Sequence, residues 1–289
     1  MNSPASTFLF HKPEFIFRPS EQQIVTFEVP GARIYFSRAE NLLTSLDKSP
    51  FGGFILTSGS SREDLISLLK KVAAWSEQNE IANVIIRSFP EIYQPVQSHL
   101  VKNCLLEFGF SVKYEDTSQV IPVSEGSMTL DTHKKRRLRH AALLAFTFRQ
   151  LTSEYLDEAY LRIVESRESK GYPVTMTQGD LQEMFKLFPN EYLLFGVFSQ
   201  DTLIATSVCV KVNSEILYCF YIGDALAYRH ASPVTLLIHG IFEYCKENNF
   251  TLIDLGISTD KGVVNKGLYT FKKSFGTIDS PKLTFLKQF

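Results

Sequence analysis

Two stretches of this chain repeat one order of elements, and that order limits the fold more than any single segment does. In the first, residues 34–37 and 53–57 read as strands, and Ser61 opens a helix with Asp64 three positions on, close to a capping box. Leu65, Leu68, Leu69, Val72 and Ala73 form its apolar stripe. Residues 82–88 read as a buried strand around Val84-Ile85-Ile86, a second helix runs from Pro95 to about Phe108, and Gly109 stops it before a strand from Phe110.

In the second stretch, residues 192–198 and 203–212 pair through the polar turn Ser199-Gln200-Asp201-Thr202, and residues 216–222 supply a third antiparallel strand. Ser232 is expected to cap a helix with Pro233 at its first position, and Leu236, Leu237, Ile241, Phe242 and Cys245 follow helical spacing to Asn248-Asn249. A buried strand at 251–255, a short helix at 267–274 and a last strand at 283–286 complete it. Between the two lies a basic amphipathic segment, residues 131–148, followed by helical stretches at 153–170 and 180–188. The expectation is a mixed α/β chain in two domains, 1–130 and 131–289, divided near residues 122–150. An open or doubly wound single sheet is the competing topology.

With 289 residues, 44% of them hydrophobic, the chain can bury a sizeable core without staples. Thirty Lys and Arg against 31 Asp and Glu leave a formal charge of -1, so no global field draws it to nucleic acid or membrane, and any anion site must be local. Cys104, Cys209, Cys219 and Cys245 lie far apart inside apolar runs, without a CxxC pair or a histidine at metal-ligand spacing, and read as core thiols. Residues 1–20 lack the basic start and apolar run of a secretory leader, and no window approaches the roughly 20 apolar residues that span a bilayer. A reduced, cytoplasmic compartment is the expectation. P-loop, nucleophile-elbow and zincin motifs are all missing, which removes those classes.

Chemistry concentrates near the C-terminus, in Gly267-Leu268-Tyr269-Thr270-Phe271-Lys272-Lys273-Ser274-Phe275-Gly276. With the order of elements and the stretch His133-Lys134-Lys135-Arg136-Arg137-Leu138-Arg139-His140, this tail resembles the FemAB-like branch of the GNAT acyltransferase superfamily, over roughly residues 30–288. The resemblance implies two fused GNAT-like domains, each a mixed, mainly antiparallel sheet flanked by helices, with the donor site in the second. It also implies transfer of an acyl group from acyl-CoA, or an aminoacyl group from aminoacyl-tRNA, to the amine of a small molecule or cell-envelope precursor. No permanently bound cofactor, no DNA partner and no transmembrane segment are expected.

Lys272 matches the lysine of the family tail and can supply a cation to the developing oxyanion, although a lysine on a short helix is ordinarily solvated. Tyr269 can protonate a leaving thiolate or pack the helix, and Asp254 can orient the acceptor amine or serve a turn before Gly256. Tyr218 and Tyr221 are substrate-binding candidates. On a regular strand i and i+3 face opposite sides, so at most one of them lines a given cleft. For the donor, Tyr228-Arg229-His230-Ala231-Ser232-Pro233 stands where GNAT domains carry a glycine-rich pyrophosphate loop. Arg229, Ser232 and the helix start are offered to phosphates, without a glycine for close backbone approach. The basic stretch at 133–140 can hold phosphates or form the solvated face of a helix. A catalytically silent module binding an anionic or nucleotide-linked ligand, or a protein, is the alternative function, and the missing glycines favour it.

Overall fold

The computed structural model describes residues 8–18, 23–123 and 126–289. Part of the segment read as lacking a leader falls outside these, as do residues 124 and 125 within the expected boundary.

A short helix α1 (Pro13–Ile16) precedes strands β1 (Gln23–Val29), β2 (Ala32–Ala39), β3 (Leu42–Thr44) and β4 (Phe54–Leu56). Helix α2 (Arg62–Gln78) starts with a full capping box, the Ser61 hydroxyl accepting from the Asp64 N–H while the Asp64 carboxylate accepts from the Ser61 N–H. Next come β5 (Asn83–Arg87), α3 (Pro95–Glu107) and β6 (Ser111–Pro122); Gly109 between α3 and β6 has φ +85°. Strands β1 and β3 are additions to the expected order, short or half-exposed segments without a clear alternation.

Helix α4 (Thr132–Leu143) is capped by Asp131 and ends before strand β7 (Thr147–Leu151). The amphipathic segment expected to run to Phe148 is therefore cut short. Ala145 takes φ +54°, and Thr147 and Phe148 then pair with Phe198 and Val197. Helices α5 (Leu156–Glu168) and α6 (Gln178–Leu187) precede the antiparallel strands β8 (Tyr192–Ser199), β9 (Thr202–Lys211) and β10 (Ile216–Asp224). Helix α7 (Pro233–Glu247), β11 (Leu252–Ile257), the two-residue strands β12 (Thr259–Asp260) and β13 (Val263–Val264), α8 (Lys266–Lys273) and β14 (Ile278–Gln288) follow.

The chain forms two compact units. One comprises residues 1–118, 257–265 and 279–289, the other 119–256 and 266–278. In the first, β1, β3 and β4 pair antiparallel with β2, β3 runs parallel to β5, and β14 pairs antiparallel with β5 from Thr284 opposite Arg87 to Gln288 opposite Asn83. The last strand, grouped by sequence with the second stretch, thus completes the first unit. Its Leu283 and Phe285 share an apolar core with Ile34, Phe36, Leu65, Leu68, Val84 and Ile86. In the second unit β7, β8, β9 and β10 are antiparallel in succession and β10 runs parallel to β11. Its core joins Phe195, Val197, Ile204 and Leu217 from the sheet to Leu237, Ile241 and Phe242 of α7. All four cysteines are buried free thiols, as their apolar neighbourhoods indicate.

Candidate active site

Strands β10 and β11 pair for only three residues, the last being Tyr218 opposite Asp254, although β10 continues to Asp224 and β11 to Ile257. Parallel strands that stop pairing midway leave backbone groups to be met by something else. Gly256 turns β11 with φ +78°, and its amide donates to the Asp254 carboxylate at 2.6 Å. A side chain at 256 would put its Cβ 3.4 Å from the Tyr218 ring, so glycine lets the tyrosine lie against the strand end.

The group that meets this strand end is Lys272. Its Nζ donates to the Gly256 carbonyl at 2.8 Å, and the residue is only 5% exposed. The solvated lysine that a short helix suggests is not what the fold builds. Leu268, Phe271, Lys272 and Phe275 fall at helical spacing, and Phe275, fully buried, draws this face of α8 inward. Gly276, φ +71°, ends the tail where a Cβ would come 2.4 Å from the Thr129 carbonyl. Burial pushes the Lys272 amine down to about 8, while the charges of Asp254 and Cys219 pull the other way. Asp254 is 2% exposed. Burial raises the Tyr218 phenol, with Asp254 adding to the shift, and its hydroxyl has no hydrogen-bond partner among the described residues.

Tyr221 is placed differently. A bulge in β10 between Cys219 and Tyr221 breaks the alternation, so the i, i+3 argument for opposite faces fails. Tyr218, Phe220 and Tyr221 form one row, with ring centroids 5.9 and 4.3 Å apart. The Tyr221 hydroxyl accepts from the amides of Thr175 and Met176 at 3.2 and 3.1 Å and lies 2.6 Å from the Thr175 hydroxyl, which ties the 172–177 segment to the strand. Tyr269 is half-buried on α8; its carbonyl accepts from the Gln119 amide and Lys273 lies over its ring.

The helix start offered to phosphates is built otherwise than expected. Pro233 does occupy the first position of α7, but Ser232 has φ +55° and makes no side-chain cap. A left-handed residue aims its hydroxyl away from the amides that an extended N-cap reaches. Arg229 is engaged: Nε donates to Asp224 at 2.9 Å, and Nη2 reaches the other Asp224 oxygen at 3.2 Å and Ser169 at 2.8 Å. Although burial works against it, hydrogen bonds from Arg229 and Ser166 hold the Asp224 carboxyl below its usual range.

One further cation belongs to this neighbourhood. Lys134 of α4 places Nζ 4.2 and 4.5 Å over the rings of Phe271 and Phe275, and 3.5 Å from the Thr235 hydroxyl in the first turn of α7. Burial, with Arg137 adding and Asp131 opposing, lowers its amine to about 8. The signal was in the spacing: Lys134, Leu138 and Ala141 share a helix face, and Ala141 is buried. Lys272, Asp254, Tyr218 and Gly256 are thus brought together, with Lys134 holding the helix that carries Lys272. Arg229, Ser232 and Tyr221 are spent on other contacts or face elsewhere.

The mixed sheet with a parallel pair that parts midway is GNAT-like in fold. Residues 132–273, just under half of the chain, match the acetyltransferase (GNAT) domain family. Among solved structures, FemX, a FemAB-family protein, is similar with a TM-score of 0.71 at 14% identity, covering 99% of this chain and 94% of its own. The C-terminal domain of an Agrobacterium fabrum protein described as a lysylphosphatidylglycerol synthetase gives 0.67 at 10% identity, over 93% and 85% of the two chains. A tandem GNAT protein of the clavulanic acid biosynthesis pathway gives 0.53 at 10% identity, over 94% and 85%. No curated protein matches the sequence significantly. The fold is shared with FemX and with the tandem GNAT protein. Among the described residues no helix is long and apolar enough to cross a membrane.

Proposed function

We propose that the protein is an N-acyltransferase that moves an acyl or aminoacyl group to the amine of a small molecule or cell-envelope precursor, in a cytoplasmic setting. Acyl-CoA is the donor that the GNAT domain supports, with aminoacyl-tRNA as the other candidate. In this reading the donor-binding domain lies within residues 131–289, in the part of them that belongs to the second unit, and 1–130 supplies most of the other domain. The observation that carries it is the buried ammonium of Lys272 at the point where β10 and β11 part.

The amine nitrogen attacks the carbonyl carbon, a C–N bond forms, and the C–S bond of a thioester or the C–O bond of an aminoacyl ester breaks. Negative charge gathers on the carbonyl oxygen, and a desolvated cation stabilises it far more than a solvated one does. Lys272 fills that role. Asp254 holds the Lys272 charge and, through Oδ1, the Gly256 turn, and its carboxylate takes the proton that the attacking amine loses. Tyr218, whose hydroxyl is uncommitted and raised in pKa, is the better proton donor to the leaving group, with Tyr269 as the second candidate. Donor phosphates fall to Ser232 and the start of α7, and to Arg229 once it leaves Asp224.

Incubation with acyl-CoAs and a panel of amines, read as release of free thiol, tests the reading; melting with each donor is measured in parallel. Turnover that vanishes in a folded Lys272→Ala variant supports it. Neither turnover nor a donor-dependent melting shift with any acyl-CoA or aminoacyl-tRNA would favour the catalytically silent binding module, which the engagement of Arg229 by Asp224 already suggests.

A further inference from the structure

Helix α4 contains no acidic residue, and most of its basic side chains are not used by the fold. Lys134 and Arg137 turn inward, Arg137 donating to the His230 carbonyl at 2.7 Å. His133, Lys135, Arg136, Arg139 and His140 are exposed. Among the described residues Lys135, Arg136 and Arg139 have no side-chain hydrogen bond or ion pair. Arg136, Arg139 and Leu143 follow one another at three and four positions and so share one face. That face ends in bare apolar surface: Leu143 is 84% exposed and Leu144, which ends the helix, 41%.

We propose that this face docks the protein on the anionic surface of a lipid bilayer, with Lys135, Arg136 and Arg139 against headgroup phosphates and Leu143 entering the boundary with the acyl chains. Charge complementarity carries the first half. The chain as a whole is nearly neutral, so three unpartnered cations on a helix about 18 Å long are a local field that only a nearby array of anions can use. Leu143 carries the second half, and it also separates a bilayer from RNA. A single-stranded RNA site offers large rings on which bases stack, whereas the segment 132–144 holds no Phe, Tyr or Trp and presents leucine beside its cations.

The test is flotation of the whole protein with vesicles of mixed phosphatidylglycerol and phosphatidylcholine, against phosphatidylcholine alone. Binding is expected only to the anionic vesicles and is lost as salt rises. Single Lys135→Ala, Arg136→Ala and Arg139→Ala changes each lower the partition coefficient roughly fivefold, and the triple change about a hundredfold. Leu143→Ser lowers it roughly tenfold at unchanged charge. All four positions are exposed, so melting temperature should hold and serves as the control for folding. Equal partition to neutral and anionic vesicles, no partition to either, or a triple variant that floats like the parent would overturn the proposal. So would a short RNA that binds through the same three cations and displaces the protein from vesicles at trace concentration.

Discussion

Lys272 and Arg229 are both cations that the sequence offers to a charged reactant, and the fold treats them in opposite ways. Lys272 is buried, bonded to the Gly256 carbonyl and set beside Asp254 at the end of a strand pair. Arg229 is half-buried and engaged by both oxygens of Asp224 and by Ser169. The first arrangement keeps a cation at high electrostatic cost, the second satisfies one. A cation's availability for chemistry is decided by what already surrounds it, and neither its position in the chain nor its neighbours in sequence reveal that.

The largest expected effect separates the two directly. Lys272→Ala should lower turnover by about 10²–10³ with donor affinity little changed, the cost of removing one stabiliser of a developing oxyanion. Arg229→Ala should leave the turnover number near that of the parent and act on donor KM or on stability. If the two variants lose turnover equally, the contrast between them is wrong.

The pH dependence sharpens the same point. Lys272 titrates near 8 in the folded chain against an ordinary 10.5. Turnover should therefore fall as pH rises through about 8, and Lys272→Arg should move that descending limb beyond pH 10, because a guanidinium stays charged. Stability runs the other way. Below pH 8 the lysine is charged in both states and the full penalty for burying its charge is present. Above it the unfolded chain binds more protons, so stability climbs with pH toward 10.5, by roughly 3 kcal/mol at most for this residue. Tyr218, raised from 10, opposes the rise only above pH 10, where the unfolded phenol ionises. Urea midpoints measured from pH 7 to 10 should rise less in Lys272→Met than in the parent; the rise that remains belongs to Lys134 and Lys170, opposed above about pH 9 by the buried thiols of Cys104, Cys219 and Cys245.

Asp224→Asn tests the satisfied cation. Arg229 and Lys170 would then face one another across a neutral amide. The expected loss is about 1–3 kcal/mol by denaturant titration, moderated because both cations reach solvent. An unchanged midpoint would mean that the network around Arg229 holds nothing and that the arginine is free for phosphate after all.

Much of the fold was legible because its signals are local. The capping box at Ser61, the Gly109 stop, the polar turn at 199–202 and Pro233 at a helix start each follow from the chemistry of a few adjacent residues, and each recurs in the structure. What escaped depends on partners distant in sequence. Strand β14 joins the first unit because Leu283 and Phe285 fit that core, and β7 is a strand because β8 offers it an edge. The same holds for the site. The tail motif marked Lys272, but its burial follows from Phe275 filling a core built largely by residues 121–255. Lys134 was hidden inside a run of charges whose other members, Arg137 apart, are solvated. A basic run conceals an inward lysine unless its helical phase is followed to Leu138 and Ala141.

The smallest expected effect repeats the opening contrast with two tyrosines on one strand. Tyr218 has an uncommitted hydroxyl beside Gly256, whereas the Tyr221 hydroxyl takes up two amides and a threonine and so anchors residues 175 and 176. Tyr221→Phe keeps the ring in its row and removes only the anchor. Stability should fall by about 1 kcal/mol, since the amides of exposed Thr175 and half-buried Met176 regain water when the bond is lost. The change should appear chiefly as faster hydrogen exchange and proteolysis at 172–177, with turnover altered through KM for the amine if that segment covers the acceptor. Tyr218→Phe should do the reverse, leaving exchange at 172–177 unchanged and slowing the chemical step. If Tyr221→Phe slows that step as much as Tyr218→Phe does, the bulge at Phe220 delivers both hydroxyls to the reacting atoms, and the division between spent and available groups would have to be redrawn along this strand.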